Sequence, residues 1–237
     1  MRYIISDIHG CYEEYKELLE KINFSDEDEL YVLGDVVDRG LEPIKILQDM
    51  MNRANVIFLL GNHEIMMYMV LKKMVVEITE DNTDNFLTGE DFFVYDCWMK
   101  NGGHVTVEQF RKLNRFEQQD MLDYLEEAFT YEIIHYNEKK YILVHAGLGG
   151  FEPDKDLEEY NVIELLEDRA DYSRRYYPDE NTFLVTGHTP TVYIEGWGKP
   201  EVYRENGHIA IDCGCVGGGR LAAFCIETEE VTYVEKR

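Results

Sequence analysis

The stretch Leu30-Tyr31-Val32-Leu33-Gly34-Asp35-Val36-Val37-Asp38-Arg39-Gly40 decides the fold. Its four leading apolar residues read as a strand covered on both faces, and polar residues follow at once behind a glycine. Two other segments also join an apolar run to a polar cluster. Tyr3-Ile4-Ile5 runs into Ser6-Asp7-Ile8-His9-Gly10, and Val56 to Leu60 runs into Gly61-Asn62-His63-Glu64. Between them lie stretches of helical period. Tyr12 to Ile22 is apolar at Tyr15, Leu18, Leu19 and Ile22, and a second stretch opens on Pro43 with Ile44, Ile46, Leu47, Met50 and Met51 behind it. Alternation of this kind makes βαβ units around a mostly parallel sheet. Sites in such sheets gather at the carboxyl ends of the strands, so the three polar loops are expected on one face.

Beyond this frame the pattern turns helical from Ile65 to about Phe129. It is interrupted from Glu77 to Asp96, a span rich in Asp and Glu without Lys or Arg, which reads as a solvated insertion. Tyr131 to His135 and Tyr141 to Val144 form a hairpin through Asn137 and Glu138, and Phe183 to Val185 is a further strand. Near the end, Ile209 to Ile211, Leu221 to Ile226 and Val231 to Val234 read as antiparallel strands around glycine turns such as Gly217-Gly218-Gly219.

The chain has 237 residues. At about 150 residues per domain this is one domain over 1–237, with the helical region at about 65–129 as a cap or insertion. Charge is the unusual feature: 23 Lys and Arg against 48 Asp and Glu give a formal net charge of −25. Such a surface repels phosphate backbones and anionic lipid, which argues against nucleic-acid coating and membrane binding. The longest apolar run, Ile65 to Leu71, stops at Lys72 and Lys73 and is far short of the ~20 residues of a membrane helix. Cys11, Cys97, Cys213, Cys215 and Cys225 form no Cys-x-x-Cys pair. With no signal-peptide pattern behind Met1, a reducing cytoplasm is the expected location.

Asp, His and Asn are oxygen and imidazole ligands, suited to divalent Mn, Fe, Zn or Co more than to thiolate-seeking metals. An Asp-x-His-Gly block alone is weak evidence, because a turn with a capping Asp looks the same. Gly-Asp-x-x-Asp-Arg-Gly fixes five positions and arises by chance in about one of 10⁴ such chains.

Taken together, the three blocks resemble the calcineurin-like metallophosphoesterases, in the phosphoprotein phosphatase branch that holds bacterial and phage serine/threonine phosphatases and diadenosine tetraphosphatases. The resemblance continues through His145-Ala146-Gly147 and Gly187-His188-Thr189, each behind a strand, with weaker echoes at Trp98-x-x-Asn101-Gly102-Gly103 and around Arg169. It implies an α/β fold of four layers, α/β/β/α, in which a central β-sandwich is flanked by helices and partly capped.

Residue by residue, the resemblance implies that Asp7 and His9 hold one divalent ion, that Asn62, His145 and His188 hold another, and that Asp35 bridges them. Manganese is the expected metal, with Fe, Zn, Co and Ni as alternatives. Two such ions ~3.5–4 Å apart share a hydroxide that attacks phosphorus in line. His63 matches the general acid that protonates the departing oxygen, and Asp38 the partner that orients its ring. Arg39 and Arg169 match phosphate-gripping arginines, although Arg169, with Arg174 and Arg175 close by, reads equally as a surface ion-pair residue.

The protein-phosphatase pattern has Arg before Gly-Asn-His-Glu, where this chain has Leu60. The expected activity is hydrolysis of phosphomonoesters, including phosphoserine or phosphothreonine in proteins. Dinucleoside polyphosphate hydrolysis in the diadenosine tetraphosphatase style is the alternative, and an inactive interaction scaffold a remote one. The expected partners are therefore a phosphorylated small molecule, a nucleotide or a phosphoprotein. His104, His135 and His208 read as surface or structural residues, Cys213 and Cys215 as opposite faces of a strand end, and the methionines from Met66 to Met74 as core filling.

Overall fold

The computed structural model describes residues 1–77 and 86–237. Two mixed sheets lie face to face. The first has the order β3-β2-β1-β8-β9, built from β1 (Arg2–Ile5), β2 (Glu29–Leu33), β3 (Val56–Leu59), β8 (Arg220–Cys225) and β9 (Val231–Glu235). β1, β2 and β3 run parallel, β8 is antiparallel to β1, and β9 is antiparallel to β8. The second has the order β4-β5-β6-β7, from β4 (Tyr131–Tyr136), β5 (Lys139–Val144), β6 (Thr182–Thr186) and β7 (His208–Ala210).

Strand alternation builds the layers. Ile4, Leu33 and Leu59 of the first sheet meet Tyr141, Leu143 and Val185 of the second in one apolar cluster. Their neighbours Ile5, Val32 and Phe58 point outward into a second cluster with α1 (Tyr12–Lys21) and α2 (Pro43–Met51). On the far side Ile142, Val144 and Leu184 pack against Leu165 and Leu166 of α7 (Val162–Leu166). Helices thus cover both outer faces, as the four-layer reading requires. In α1 the acidic Glu13 and Glu14 stand in the first turn and Lys21 in the last, each favourable to the helix dipole.

Three sequence readings change. The third helix, α3, spans Asn62–Val75, so Asn62 and His63 form its first turn rather than a loop before it. Of the acidic span 77–96, residues 78–85 lie outside the described residues, and Gly89 to Asp96 belong to helix α4 (Gly89–Lys100). Thr88 caps that helix: its Oγ accepts from Asp91 N–H (3.3 Å), while its own N–H donates to Asp91 Oδ2 (2.7 Å), so the acids mark a helix start and not a loop. Finally, β7 pairs parallel with β6 in the second sheet, whereas β8 and β9 are antiparallel as expected. The helical region continues through α5 (His104–Phe110) and α6 (Arg115–Glu126).

Candidate metal centre

Because β1 and β2 are parallel and adjacent, the loops behind them leave together and hydrogen-bond to each other. The N–H groups of Asp7, His9 and Gly10 donate to the carbonyls of Gly34 (3.1 Å), Asp35 (2.9 Å) and Val36 (2.8 Å). Loops from the second sheet close the other side. Gly187 N–H donates to His145 O (2.8 Å), and His188 N–H donates to Asp7 Oδ2 (2.9 Å). A Cβ at Gly187 would overlap Ser6 Oγ, so the two sheets approach this closely only through a glycine.

Backbone strain concentrates here. Ten non-glycine residues among those described have positive φ, and six of them are Asp7 (53°), His9 (44°), Asp35 (53°), Asp38 (70°), Arg39 (65°) and His188 (61°). Such conformations persist where surrounding contacts over-determine them, which is the signature of functional loops.

Two donor groups share Asp35: His9 with Asp35 and His63, and Asp35 with His145 and His188. Asp35 Oδ2 lies 3.4 Å from His9 Nε2, and its Oδ1 lies 3.4 Å from His145 Nε2. Burial opposes a charge on Asp35, yet the imidazoles of His145, His63, His9 and His188 outweigh it and hold the carboxyl below the usual range. Asn62 Oδ1, His145 Nε2 and His188 Nδ1 form a triangle with 3.2 Å edges. That spacing suits donors around one ion at bonds of ~2.0–2.2 Å.

The rings are oriented from behind. His9 Nδ1 donates to Val37 O (2.8 Å) and His145 Nδ1 to Leu33 O (2.6 Å), which leaves each Nε2 unprotonated and beside Asp35. Burial pulls His9 down to about 3 and His188 to about 4, and lowers His145, so these rings are neutral ligands at neutral pH. Asp7 is buried but stands in neither donor group, its Oδ2 being held by His188 N–H and the Ser6 hydroxyl. Burial drives Asp7 up, aided by the charges of Asp212 and Asp35, and burial pushes Asp212 to about 7. Three buried carboxyls beside neutral imidazoles are costly without a cation, and this donor set fits divalent metal.

His63 Nδ1 donates to Asp38 Oδ2 (2.6 Å). Burial lowers the ring's basicity, but the carboxylates of Asp35 and Asp38 more than offset it, so His63 is held above its ordinary value. Arg39 reaches across with Nη1 2.9 Å from His9 Nε2 and Nη2 2.8 Å from His63 Nε2, while its N–H donates to Gly102 O (3.3 Å). Arg169 is exposed at the edge, close enough for its charge to lower His188, and forms no ion pair among the described residues. His208 is buried, accepts no site role, and sits against Arg174 O (2.9 Å) and the Tyr172 and Tyr176 rings.

Four contributors escape a reading of the sequence alone. Trp98 Nε1 donates to Asp38 Oδ2 (2.8 Å), and Thr106 Oγ donates to Asp38 Oδ1 (2.5 Å). Glu64 accepts from the N–H groups of Asp35 (2.8 Å), Val36 (2.9 Å), Val37 (3.1 Å) and Gly61 (2.9 Å), clamping one strand-end loop to the next. Asp212, N-terminal to the glycine turn, adds a buried acid whose charge reaches Asp7. The Trp98-x-x-Asn101-Gly102-Gly103 echo was the available signal for Trp98; Thr106 and Asp212 had none.

Against this geometry, the model of the calcineurin-like phosphoesterases matches residues 3–218. The chain belongs to the calcineurin-like phosphoesterase family. Among curated members, the symmetrical bis(5'-nucleosyl)-tetraphosphatase of Buchnera aphidicola subsp. Acyrthosiphon pisum is 38% identical over 115 residues, covering 47% of this chain. The aligned part spans only 41% of that relative's length. An asymmetrical bis(5'-nucleosyl)-tetraphosphatase of Oceanobacillus iheyensis is 26% identical over 99% of this chain and 92% of its own. A solved structure provisionally described as a diadenosine tetraphosphatase superposes with a TM-score of 0.67 at 19% identity, covering 100% of this phosphoesterase and 93% of that chain.

Proposed function

We propose that this phosphoesterase is a dinuclear metal-dependent hydrolase of bis(5'-nucleosyl) tetraphosphates. The observation that carries the reading is the end-to-end alignment with the Oceanobacillus iheyensis tetraphosphatase. Leu60, where protein phosphatases place a phosphate-binding arginine, points the same way. Both favour the anhydride over the phosphomonoester and phosphoprotein activities expected first.

Asp7, His9 and Asp35 would hold one ion, and Asp35, Asn62, His145 and His188 the second, with manganese the leading choice ahead of Fe, Zn, Co or Ni. Bound ions would supply an activated nucleophile at neutral pH and neutralise phosphate oxygens. His63, whose basicity Asp35 and Asp38 raise, would donate an Nε2 proton to the departing phosphate oxygen once Arg39 Nη2, 2.8 Å from that nitrogen, turns to the phosphate. Arg39 presents its guanidinium to the phosphates beside His63, a fork suited to two oxygens at once. Arg169 at the rim is assigned the outer phosphates. The α4–α5 turn, which carries Asn101 and Gly102 against Arg39, borders the site as part of a cap. No described helix is long and apolar enough to cross a membrane, and all five cysteines are free; we place the protein in the cytoplasm.

The test is hydrolysis of diadenosine tetraphosphate, p-nitrophenyl phosphate and a phosphopeptide by metal-stripped protein titrated with Mn²⁺, Mg²⁺, Zn²⁺ or Fe²⁺. Activity on the tetraphosphate that needs metal, vanishes in Asp35→Asn and drops by orders of magnitude in His63→Asn is expected. Metal-dependent phosphopeptide hydrolysis with the tetraphosphate untouched would overturn the assignment.

A further inference from the structure

A cleft of about 450 Å³ is lined in part by residues of the metal centre, and its lining divides by chemistry. One part of the lining is Asp7, His9, Arg39 and Asp212. Another part is Pro190, Val192, Tyr193, Pro200 and Val216 with the glycines 217–219, with no charged side chain among them. The volume is in the ~300–1,000 Å³ range of small-molecule sites.

Tyr193 belongs to the uncharged lining with its side chain largely in solvent, at 75% exposure. Its backbone is nevertheless fixed. It ends a short 3₁₀ turn, Thr191–Tyr193, where Tyr193 N–H donates to Pro190 O (2.8 Å) and buried Thr191 N–H donates to Asp212 O (2.8 Å). Thr191 Oγ also donates to Lys199 O (2.9 Å). An aromatic ring on a tethered backbone is a platform that loses little freedom when a flat group stacks on it. The glycine turn lines the same cleft, and a Cβ at Gly217 or Gly218 would meet no atom within 4 Å, so it offers open backbone against which a planar ring can lie.

We infer that this cleft is the subsite for the nucleoside of the leaving or retained nucleotide, with the Tyr193 ring as the base-stacking platform. This rests on the tetraphosphatase reading above. The match is one of chemistry: the cation-binding lining and Arg39 take phosphate, and the uncharged lining takes the neutral, flat base. A nucleobase stacked on an aromatic ring gains roughly tenfold or more in affinity, with little dependence on which base it is. The subsite therefore discriminates nucleotides from bare polyphosphate rather than adenine from guanine.

The experiment measures dissociation constants by calorimetry on manganese-loaded full-length protein. The probes are adenosine α,β-methylene diphosphate and methylenediphosphonate, which share a diphosphate mimic and differ by the nucleoside. Expected is a preference of about tenfold or more for the nucleoside-bearing probe, lost in Tyr193→Ala and kept in Tyr193→Phe. Gly217→Val, which places bulk in the open cleft, should also erase it. No preference in the native protein, or one unchanged in Tyr193→Ala, would overturn the inference. Cleavage of diadenosine tetraphosphate without a Tyr193-dependent preference sinks the subsite and leaves the parent reading standing. A Tyr193-dependent preference in a protein that does not cleave the tetraphosphate does the reverse.

Discussion

Trp98 donates its indole N–H to the same Asp38 Oδ2 that accepts from His63 Nδ1, at 2.8 Å and 2.6 Å. The helix α4 therefore reaches the general-acid candidate through one carboxylate. Trp98→Phe keeps most of the packing of this fully buried side chain but deletes the donor. A buried carboxylate that loses one of its donors costs about 1–3 kcal/mol and is free to turn. Expected are a tenfold or larger fall in kcat and a lowered Tm, read from steady-state kinetics and thermal melting of one preparation. Unchanged kcat would remove Trp98 from the site.

The raised basicity of His63 sets the sign of a pH effect. The protonated ring is the working form, so kcat on substrates with poor leaving groups should hold at low pH and fall as pH rises through the His63 value. Asp38→Asn removes one of the two carboxylates that lift that value. The alkaline fall should then begin at lower pH, which a pH profile of kcat in the two proteins measures directly. A fall at the same pH in both would detach Asp38 from His63.

Glu64 joins two strand-end loops through four backbone donors, and its carboxyl is wholly buried. Glu64→Ala strands those amides, and four lost hydrogen bonds in a buried place put the effect at the severe end for one substitution, about 4 kcal/mol. Denaturant unfolding checks the stability loss. Metal stoichiometry checks the second consequence, since Asp35 and Gly61 beside Asn62 are held by this carboxylate and the Asp35-sharing ions should bind more weakly. A fully stable, fully metallated Glu64→Ala protein would contradict both.

The strand-end blocks were legible because apolar runs such as Leu30 to Leu33 are followed within a residue or two by ligand-type residues. Parallel pairing of β1 with β2 and of β2 with β3 then leaves those residues no option but one edge of the sheet. His145 and His188, each behind an apolar strand, were marked as ligands by the family resemblance alone. What could not be read depends on contacts distant in sequence. Thr106 meets Asp38 across 68 positions, and nothing local marks it. The reading of β7 as antiparallel failed because strand direction is set by the crossover after Thr186, which the short apolar triplet Ile209-Ala210-Ile211 does not encode. Thr88 and Asp91 did carry a capping-box signal, masked by the surrounding acids.

Metal should stabilise this protein more as pH rises from about 5 to 7.5. Burial raises Asp7 well above the usual carboxylate range and holds Asp212 near 7, so below neutrality the metal-free cluster keeps protons that an ion must displace. The neutral state of His188, with a value near 4, adds competition only at lower pH. The increase in Tm on adding Mn²⁺ is therefore expected to be small at pH 5 and several degrees larger at pH 7.5. The same increment at both values would show that the carboxyl cluster is already ionised without metal. Asp212→Asn separates the contributions, since it removes one of the displaced protons and should flatten the pH dependence.

The net charge of −25 makes a salt prediction with a definite sign. A tetraphosphate approaching this surface is repelled except where Arg39, Arg169 and bound cations focus a positive spot. At ~0.1 M ionic strength the screening length is ~10 Å, so added salt weakens the long-range repulsion while short contacts inside the cleft are less affected. kcat/KM on diadenosine tetraphosphate should therefore rise between low and moderate ionic strength at saturating metal, with kcat nearly constant, because encounter and not the chemical step is being changed. Stopped-flow or steady-state measurements in potassium chloride, with metal occupancy followed in parallel, decide it. A monotonic fall in kcat/KM at constant occupancy would mean that the local positive potential around Arg39 and Arg169 dominates the approach, and that the acidic surface lies too far from the path of the substrate to matter.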